Sequence, residues 1–204
     1  MRRSTSILGA VLLLLLVTAA PALAAAAPRI HDSGNVNYAY ASSSICSGST
    51  CTDTYINVFT ATLDNGDKEN VVCVDTFTYP TRGRGGSSET HGCGPASSFT
   101  IANDSSSATL GNTTIIDAVA CTSRRCSPTT ITIGGTFTAA GSASSYSYRS
   151  TFSNGDCTER YSVKGTSTPA TFQGTLNGSS VTAGDGAIGK ERYNFSSTCV
   201  FGPA

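Results

Sequence analysis

Eight cysteines between residues 46 and 199 set the strongest limit on how this chain can fold. An even number of cysteines in an exported chain predicts paired disulfides, here four. A zinc site is the alternative, but both close pairs are separated by four residues, and the chain has only two histidines. We therefore predict a disulfide-stapled fold with no metal and no other cofactor. The cysteines are Cys46, Cys51, Cys73, Cys93, Cys121, Cys126, Cys157 and Cys199.

The first residues of the chain predict export. Arg2 and Arg3 precede an apolar run over residues 7–17, and small residues follow it to about residue 27. This order is typical of a secretory signal peptide, and the apolar run is too short to span a membrane. We interpret residues 1–27 as a signal peptide and predict a secreted, extracellular protein with no membrane span.

The charge of the remaining chain argues against a nucleic-acid partner. Two of the 13 basic residues lie in the signal segment, which leaves 11 against 13 acidic residues and a formal charge of −2. A net-acidic protein lacks the general positive field that attracts nucleic acid. The expected partner is an anionic or carbohydrate surface, or another protein.

Apolar and polar residues alternate in several short segments, and Gly, Asn, Asp, Pro and Ser separate those segments. A period of two is typical of half-buried β-strands, and almost no segment has the helical period. Residues 115–119 are also interpreted as a strand because two threonines precede them. The sequence predicts an all-β fold of sandwich-like antiparallel sheets. The alternating segments are residues 37–41, 55–59, 71–79, 130–133, 145–152 and 192–195.

Residues 62–69 and 151–159 share an Asn-Gly-Asp centre, and similar residues flank both stretches. Asn-Gly favours a tight hairpin turn. Asp64, Asp67 and Glu69 could instead bind calcium, but the second stretch has Ser153 where the first has Asp64, so we predict the turn. The likeness predicts two tandem β repeats of similar topology. The first is residues 28–127 with two added loops, and the second is residues 128–204.

The comparison of the two repeats also predicts the disulfide pairing. Cys46 and Cys51 lie in the first added loop, and Cys73 and Cys93 bracket the second, so each pair is expected to close its own loop. Two local pairs then remain. They join Cys121 to Cys126 at the junction of the repeats, and Cys157 to Cys199 across the second repeat.

The sequence contains no strong catalytic motif. His91 with Asp75 or Glu89 and one of the serines could form a hydrolase triad, but the chain has no G-x-S-x-G elbow. The glycine-rich segment that holds His91 is interpreted as a flexible loop tethered by Cys93. Its two arginines, and the Arg-Arg pair between two close cysteines, could bind an anionic group. The predicted binding residues are Arg82, Arg84, Glu89, His91, Arg124 and Arg125.

Two tyrosine pairs recur at a spacing of two residues, Tyr38 with Tyr40 and Tyr146 with Tyr148. Each pair lies on one face of a predicted strand, where tyrosines pack across strands or offer a flat surface to a sugar. We interpret both pairs as packing residues. The resulting hypothesis is a secreted, non-enzymatic binding or surface-interaction protein. The alternatives are a small secreted hydrolase and an inhibitor or toxin-like effector with a disulfide-tethered loop.

Overall fold

The computed structural model describes residues 29–63, 66–82, 85–122, 124–154 and 157–199. The predicted signal peptide and Arg84 lie outside the described residues. Parts of both predicted Asn-Gly turns also lie outside them, namely Asp64, Asn65, Gly155 and Asp156.

The described chain folds into ten β-strands and contains no helix, so the prediction of an all-β fold is confirmed. Every segment with two-residue alternation falls inside a strand, and residues 115–119 are strand rather than helix. The strands are β1 (Arg29–Ser47), β2 (Thr50–Leu63), β3 (Lys68–Pro80), β4 (Ser88–Pro95), β5 (Phe99–Ile101), β6 (Ser107–Thr122), β7 (Cys126–Ala139), β8 (Ser144–Ser153), β9 (Cys157–Leu176) and β10 (Ser179–Cys199).

All pairings between the strands are antiparallel, and they connect the strands into one sheet. The pairings run from β10 through β1, β2, β3, β4, β6, β7 and β9, and β9 pairs with β10 again, so eight strands form a closed circuit. β5 pairs only with β6, and β8 pairs only with β9. β8 therefore has one unpaired edge among the described residues.

One hydrophobic core cluster joins side chains from both halves of the chain. Ile56, Val58 and Val74 from the first half are almost completely buried, as are Phe137 and Phe172 from the second. The rings of Phe137 and Phe172 lie 4.8 Å apart between centroids. The inward positions recur at every second residue, as the sequence alternation predicted.

The four predicted disulfides are confirmed, with Cys46 bonded to Cys51, Cys73 to Cys93, Cys121 to Cys126, and Cys157 to Cys199. Each bond joins two residues that lie directly opposite one another on neighbouring antiparallel strands. The bonds therefore fasten individual strand pairs, and four disulfides fit an extracellular protein.

The disulfides of both predicted added loops are confirmed, and much of each segment is β-strand. Cys46 and Cys51 belong to the long hairpin of β1 and β2, and His91 lies in strand β4 rather than in a flexible loop. The glycines around His91 predicted a flexible loop, but in the structure they allow close packing between strands. A Cβ atom on Gly92 would lie 2.7 Å from the Cβ atom of Ala118, so glycine lets β4 and β6 approach each other.

The two Asn-Gly segments each connect strands that pair as neighbours, β2 with β3 and β8 with β9. Gly66 has a φ of 88°, a backbone conformation that favours glycine in such turns. The tandem duplication, its boundaries and the sandwich arrangement remain predictions. No helix that could cross a membrane is found in the part of the chain that the structure describes.

Candidate functional site

The sequence-predicted binding residues lie at and near one end of the sheet. Ser88 pairs with Thr122, so the β3–β4 connection and the β6–β7 turn are at the same end. Arg82, Arg124 and Arg125 are exposed there, and we call these three residues the turn cluster. No hydrogen bond or ion pair joins their described side chains to one another.

Glu89 and His91 lie farther from that end, on the outer face of β4. Glu89 is exposed and lies opposite Phe77 and Cys121. His91 lies opposite Asp75, and its Nδ1 atom forms a close contact with the Asp75 carboxylate. The structure therefore selects Asp75 over Glu89 as the carboxylate partner of His91.

The Asp75–His91 pair supplies two of the three groups of a hydrolase triad. The His91 side chain is 54% exposed on an open sheet face. Among the described residues no serine or threonine hydroxyl is hydrogen-bonded to His91. The pair orients the imidazole ring, but no hydroxyl among those residues is hydrogen-bonded to it as a triad nucleophile would be.

The strands β8, β9 and β10 bring together a group of basic side chains that the sequence did not single out. Side chains alternate between the two faces of a strand, and the register places Ser147, Lys164 and Arg192 in one row across the three strands. Four consecutive rows on this face each contain at least one cation. We call this surface the basic face, whose cations are Arg149, Arg160, Lys164, Lys190 and Arg192, with His31 of β1 at one end.

The basic face contains no acidic side chain. Glu159 and Glu191 belong to β9 and β10 but fall on the opposite face, because within these two strands the acidic residues have odd numbers and the cations have even numbers. A plain solvated surface usually mixes charges of both signs. The segregation of charge by face therefore makes this surface a candidate site for an anion.

Most of these cations have no partner within the protein. The side chains of Arg149, Arg160, Lys164 and Arg192 are exposed. Within the described ranges they form no ion pair and no side-chain hydrogen bond. Four guanidinium or ammonium groups are thus available to a ligand.

Lys190 is the exception, because its Nζ atom donates a hydrogen bond to the carbonyl oxygen of Asn103, 3.3 Å away. Its charge also acts on Asp104 in the β5–β6 connection. Hydrogen bonds from Ser106 hold the pKa of Asp104 below its ordinary value, and Lys190 contributes a smaller effect in the same direction. Lys190 therefore marks the boundary of the basic face.

Two shallow grooves follow one another along the basic face. The larger has a volume of about 680 Å³ and is lined by Lys164, Lys190 and Arg192, and also by Tyr146 and Glu191. The smaller has a volume of about 270 Å³ and is lined by Arg160 and His31, and also by Tyr161 and Phe195. Arg149 lines both grooves. The face is on the same side of the strands as the core residues Ala170, Phe172 and Ile188, beyond the end of the core.

The opposite face of these strands and of β1 holds six of the eight tyrosines. The two predicted tyrosine pairs meet there, because the hydroxyl oxygens of Tyr38 and Tyr146 lie 3.3 Å apart. Tyr146 also donates a hydrogen bond to Oε2 of Glu191, 2.7 Å away. Burial and these hydrogen bonds raise the pKa of Tyr146 above its ordinary value. The tyrosine hydroxyl thus holds Glu191 away from the basic face.

Several of these tyrosines pack over a glycine on the neighbouring strand. Tyr38 lies opposite Gly189, and Tyr146 lies opposite Gly165. A Cβ atom at Gly189 would lie 2.3 Å from the Tyr38 ring, and one at Gly165 would lie 2.8 Å from the Tyr146 ring. The glycines make room for these rings, which supports the interpretation of Tyr38 and Tyr146 as packing residues. Tyr40 and Tyr148, the second members of the two pairs, are exposed.

No group of three or more His, Cys, Asp or Glu side chains suited to a metal ion occurs within the ranges that the structure describes. Comparison with known proteins adds no further guide to the chemistry. No protein-family model matches the chain, and no curated protein or solved structure matches it.

Proposed function

We propose that this protein is a secreted, non-enzymatic binding protein and that its basic face binds an anionic ligand. The observation that carries the proposal is the group of four exposed cations without partners, on a face without a carboxylate. Arginine is suited to this role because its planar guanidinium group can hydrogen-bond a carboxylate, sulfate or phosphate through two parallel bonds. Three of the four unpaired cations are arginines.

The shape of the face supports binding rather than catalysis. The grooves are shallow and lie on regular strands, whose register sets the spacing of the cations. The only described pair with catalytic character, Asp75 and His91, lies on β3 and β4, which do not pair with β8, β9 or β10. A hydrolase would therefore need a separate site around that pair.

The proposal predicts binding to a polyanion with a strong dependence on salt. A fluorescently labelled heparin chain can be titrated with the protein at increasing NaCl concentration. If all five cations displace counterions as on a flexible polyanion, the logarithm of the binding constant should fall with a slope of about −3 to −4 against the logarithm of the salt concentration. Neutral dextran of similar length is the control and should not bind. Absence of heparin binding, or binding that is indifferent to salt, would contradict the proposal.

A further inference from the structure

We infer that the ligand of the basic face is an anionic polysaccharide and that its chain lies along the strands. This inference rests on the proposed anion binding and names the class of ligand. It follows from the spacing of the cations and from the chemistry of the uncharged side chains between them.

The cations form a track rather than a single pocket. Lys190 occupies the first of the four rows, Lys164 and Arg192 share the second, Arg149 occupies the third, and Arg160 the fourth. Successive rows on one face are two residues apart, so the four rows extend over about 20 Å along the strands. A single sulfate or carboxylate ion could contact only one or two of these rows. A linear chain with repeated negative charges can contact all of them.

The uncharged side chains of the face offer hydroxyl and amide groups. Apart from the cations and His31, the four rows hold only serine, threonine and asparagine. Ser147, Thr166 and Asn194 are exposed, and their side chains have no hydrogen-bond partner within the described residues. Such groups match the hydroxyl groups of a sugar, which both donate and accept hydrogen bonds.

The same composition argues against other polyanions. Proteins that bind single-stranded nucleic acid stack its bases on aromatic side chains, and the four rows contain no Phe, Tyr or Trp. Surfaces that bind anionic membranes combine cations with apolar side chains that enter the lipid, and the rows contain no large apolar residue. A sugar chain that carries sulfate or carboxylate groups uses both the cations and the hydroxyl groups.

The length of the track can be tested with heparin oligosaccharides of increasing size. Affinity should rise with each added sugar until the chain spans about 20 Å and should then level off. Longer chains should gain only the small statistical factor that comes from binding in several overlapping positions. Equal affinity per molecule for the shortest and longest chains would overturn the inference, because it would mean that the ligand contacts a single row.

Recognition of the sugar can be separated from recognition of its charge. We would replace Ser147, Thr166 and Asn194 with alanine together and compare a long heparin oligosaccharide with inorganic polyphosphate of similar length. Three lost hydrogen bonds should weaken oligosaccharide binding by about tenfold or more, and polyphosphate binding by less than about twofold. The thermal transition serves as the control for folding.

Three outcomes of that comparison would overturn the inference. They are a fall in the binding of both polyanions by the same factor, a preference of the wild-type protein for polyphosphate or single-stranded DNA, and stronger competition by phosphatidylserine vesicles than by the oligosaccharide. The proposed anion binding would survive each of these results. It would fail separately if neither heparin nor polyphosphate bound the wild-type protein.

Discussion

Replacement of Arg149, Arg160, Lys164 and Arg192 with glutamine is expected to weaken heparin binding by about 100-fold or more. Each exposed ionic contact contributes up to about 1 kcal/mol, and the loss of four such contacts removes roughly 3 kcal/mol of binding free energy. The residues are exposed and form no ion pair within the described chain, so the change at each site should alter the free energy of unfolding by about 0.5 kcal/mol or less.

A control variant removes the same number of positive charges from another region. Lys68, Arg82, Arg124 and Arg125 are also exposed, and three of them form the turn cluster. Their replacement with glutamine should weaken heparin binding by less than about threefold, the loss expected from net charge alone at physiological salt. If the control variant loses binding and the first variant keeps it, the turn cluster predicted from the sequence is the site and the basic face is not.

Removal of the Cys157–Cys199 disulfide by serine substitution at both positions should lower the free energy of unfolding by about 4 kcal/mol. Its cysteines are 42 residues apart in sequence, and in the chain-entropy model the bond restricts the unfolded chain accordingly. The bond also fastens the ends of β9 and β10 next to the row that holds Arg160. Its loss is therefore expected to weaken heparin binding as well, through fraying of the basic face.

The matched control is the double serine variant of Cys121 and Cys126, which are only 5 residues apart. This change should lower the free energy of unfolding by about 2 kcal/mol and leave heparin binding unaltered. Urea unfolding of both variants, followed by circular dichroism, measures the two costs. A larger loss in the Cys121–Cys126 variant would contradict the explanation from loop size.

The strand content and the disulfides could be predicted from the sequence because both are encoded locally. Alternation over a few residues decides which side of a strand faces the core, and each close cysteine pair brackets a single hairpin turn. The pairing of Cys157 with Cys199 could be predicted only because the other six cysteines had already been assigned to local pairs. It is confirmed because β9 and β10 form one long hairpin that brings the first residue of β9 opposite the last residue of β10.

Strand β9 was not predicted, although it carries Arg160 and Lys164. Its sequence contains Gly165, Pro169 and Gly174, residues that usually interrupt strands. Pro169 is tolerated because β9 changes partners there. Its first half pairs with β8, and its second half, from residue 170, pairs with β7. The missing amide hydrogen of proline falls in the gap between the two ladders.

The basic face could not be predicted because it depends on the register between strands. The alternation in Lys190-Glu191-Arg192 already separates the charges of β10 onto two faces. The positions of Arg149 and Lys164 relative to that strand depend on the β8–β9 and β9–β10 hairpins and on the bulge between Ala183 and Gly186. A shift of one residue in either hairpin would move cations to the tyrosine face.

The most direct test of the basic face is a nuclear magnetic resonance titration of the oxidised, nitrogen-15-labelled protein with a heparin oligosaccharide, read at the arginine side chains. The Nε–H signals report the guanidinium groups themselves and so distinguish the two faces of the strands. We predict that the signals of Arg149, Arg160 and Arg192 shift most. Larger shifts for Arg82, Arg124 and Arg125, with the first three unchanged, would contradict the proposed binding surface.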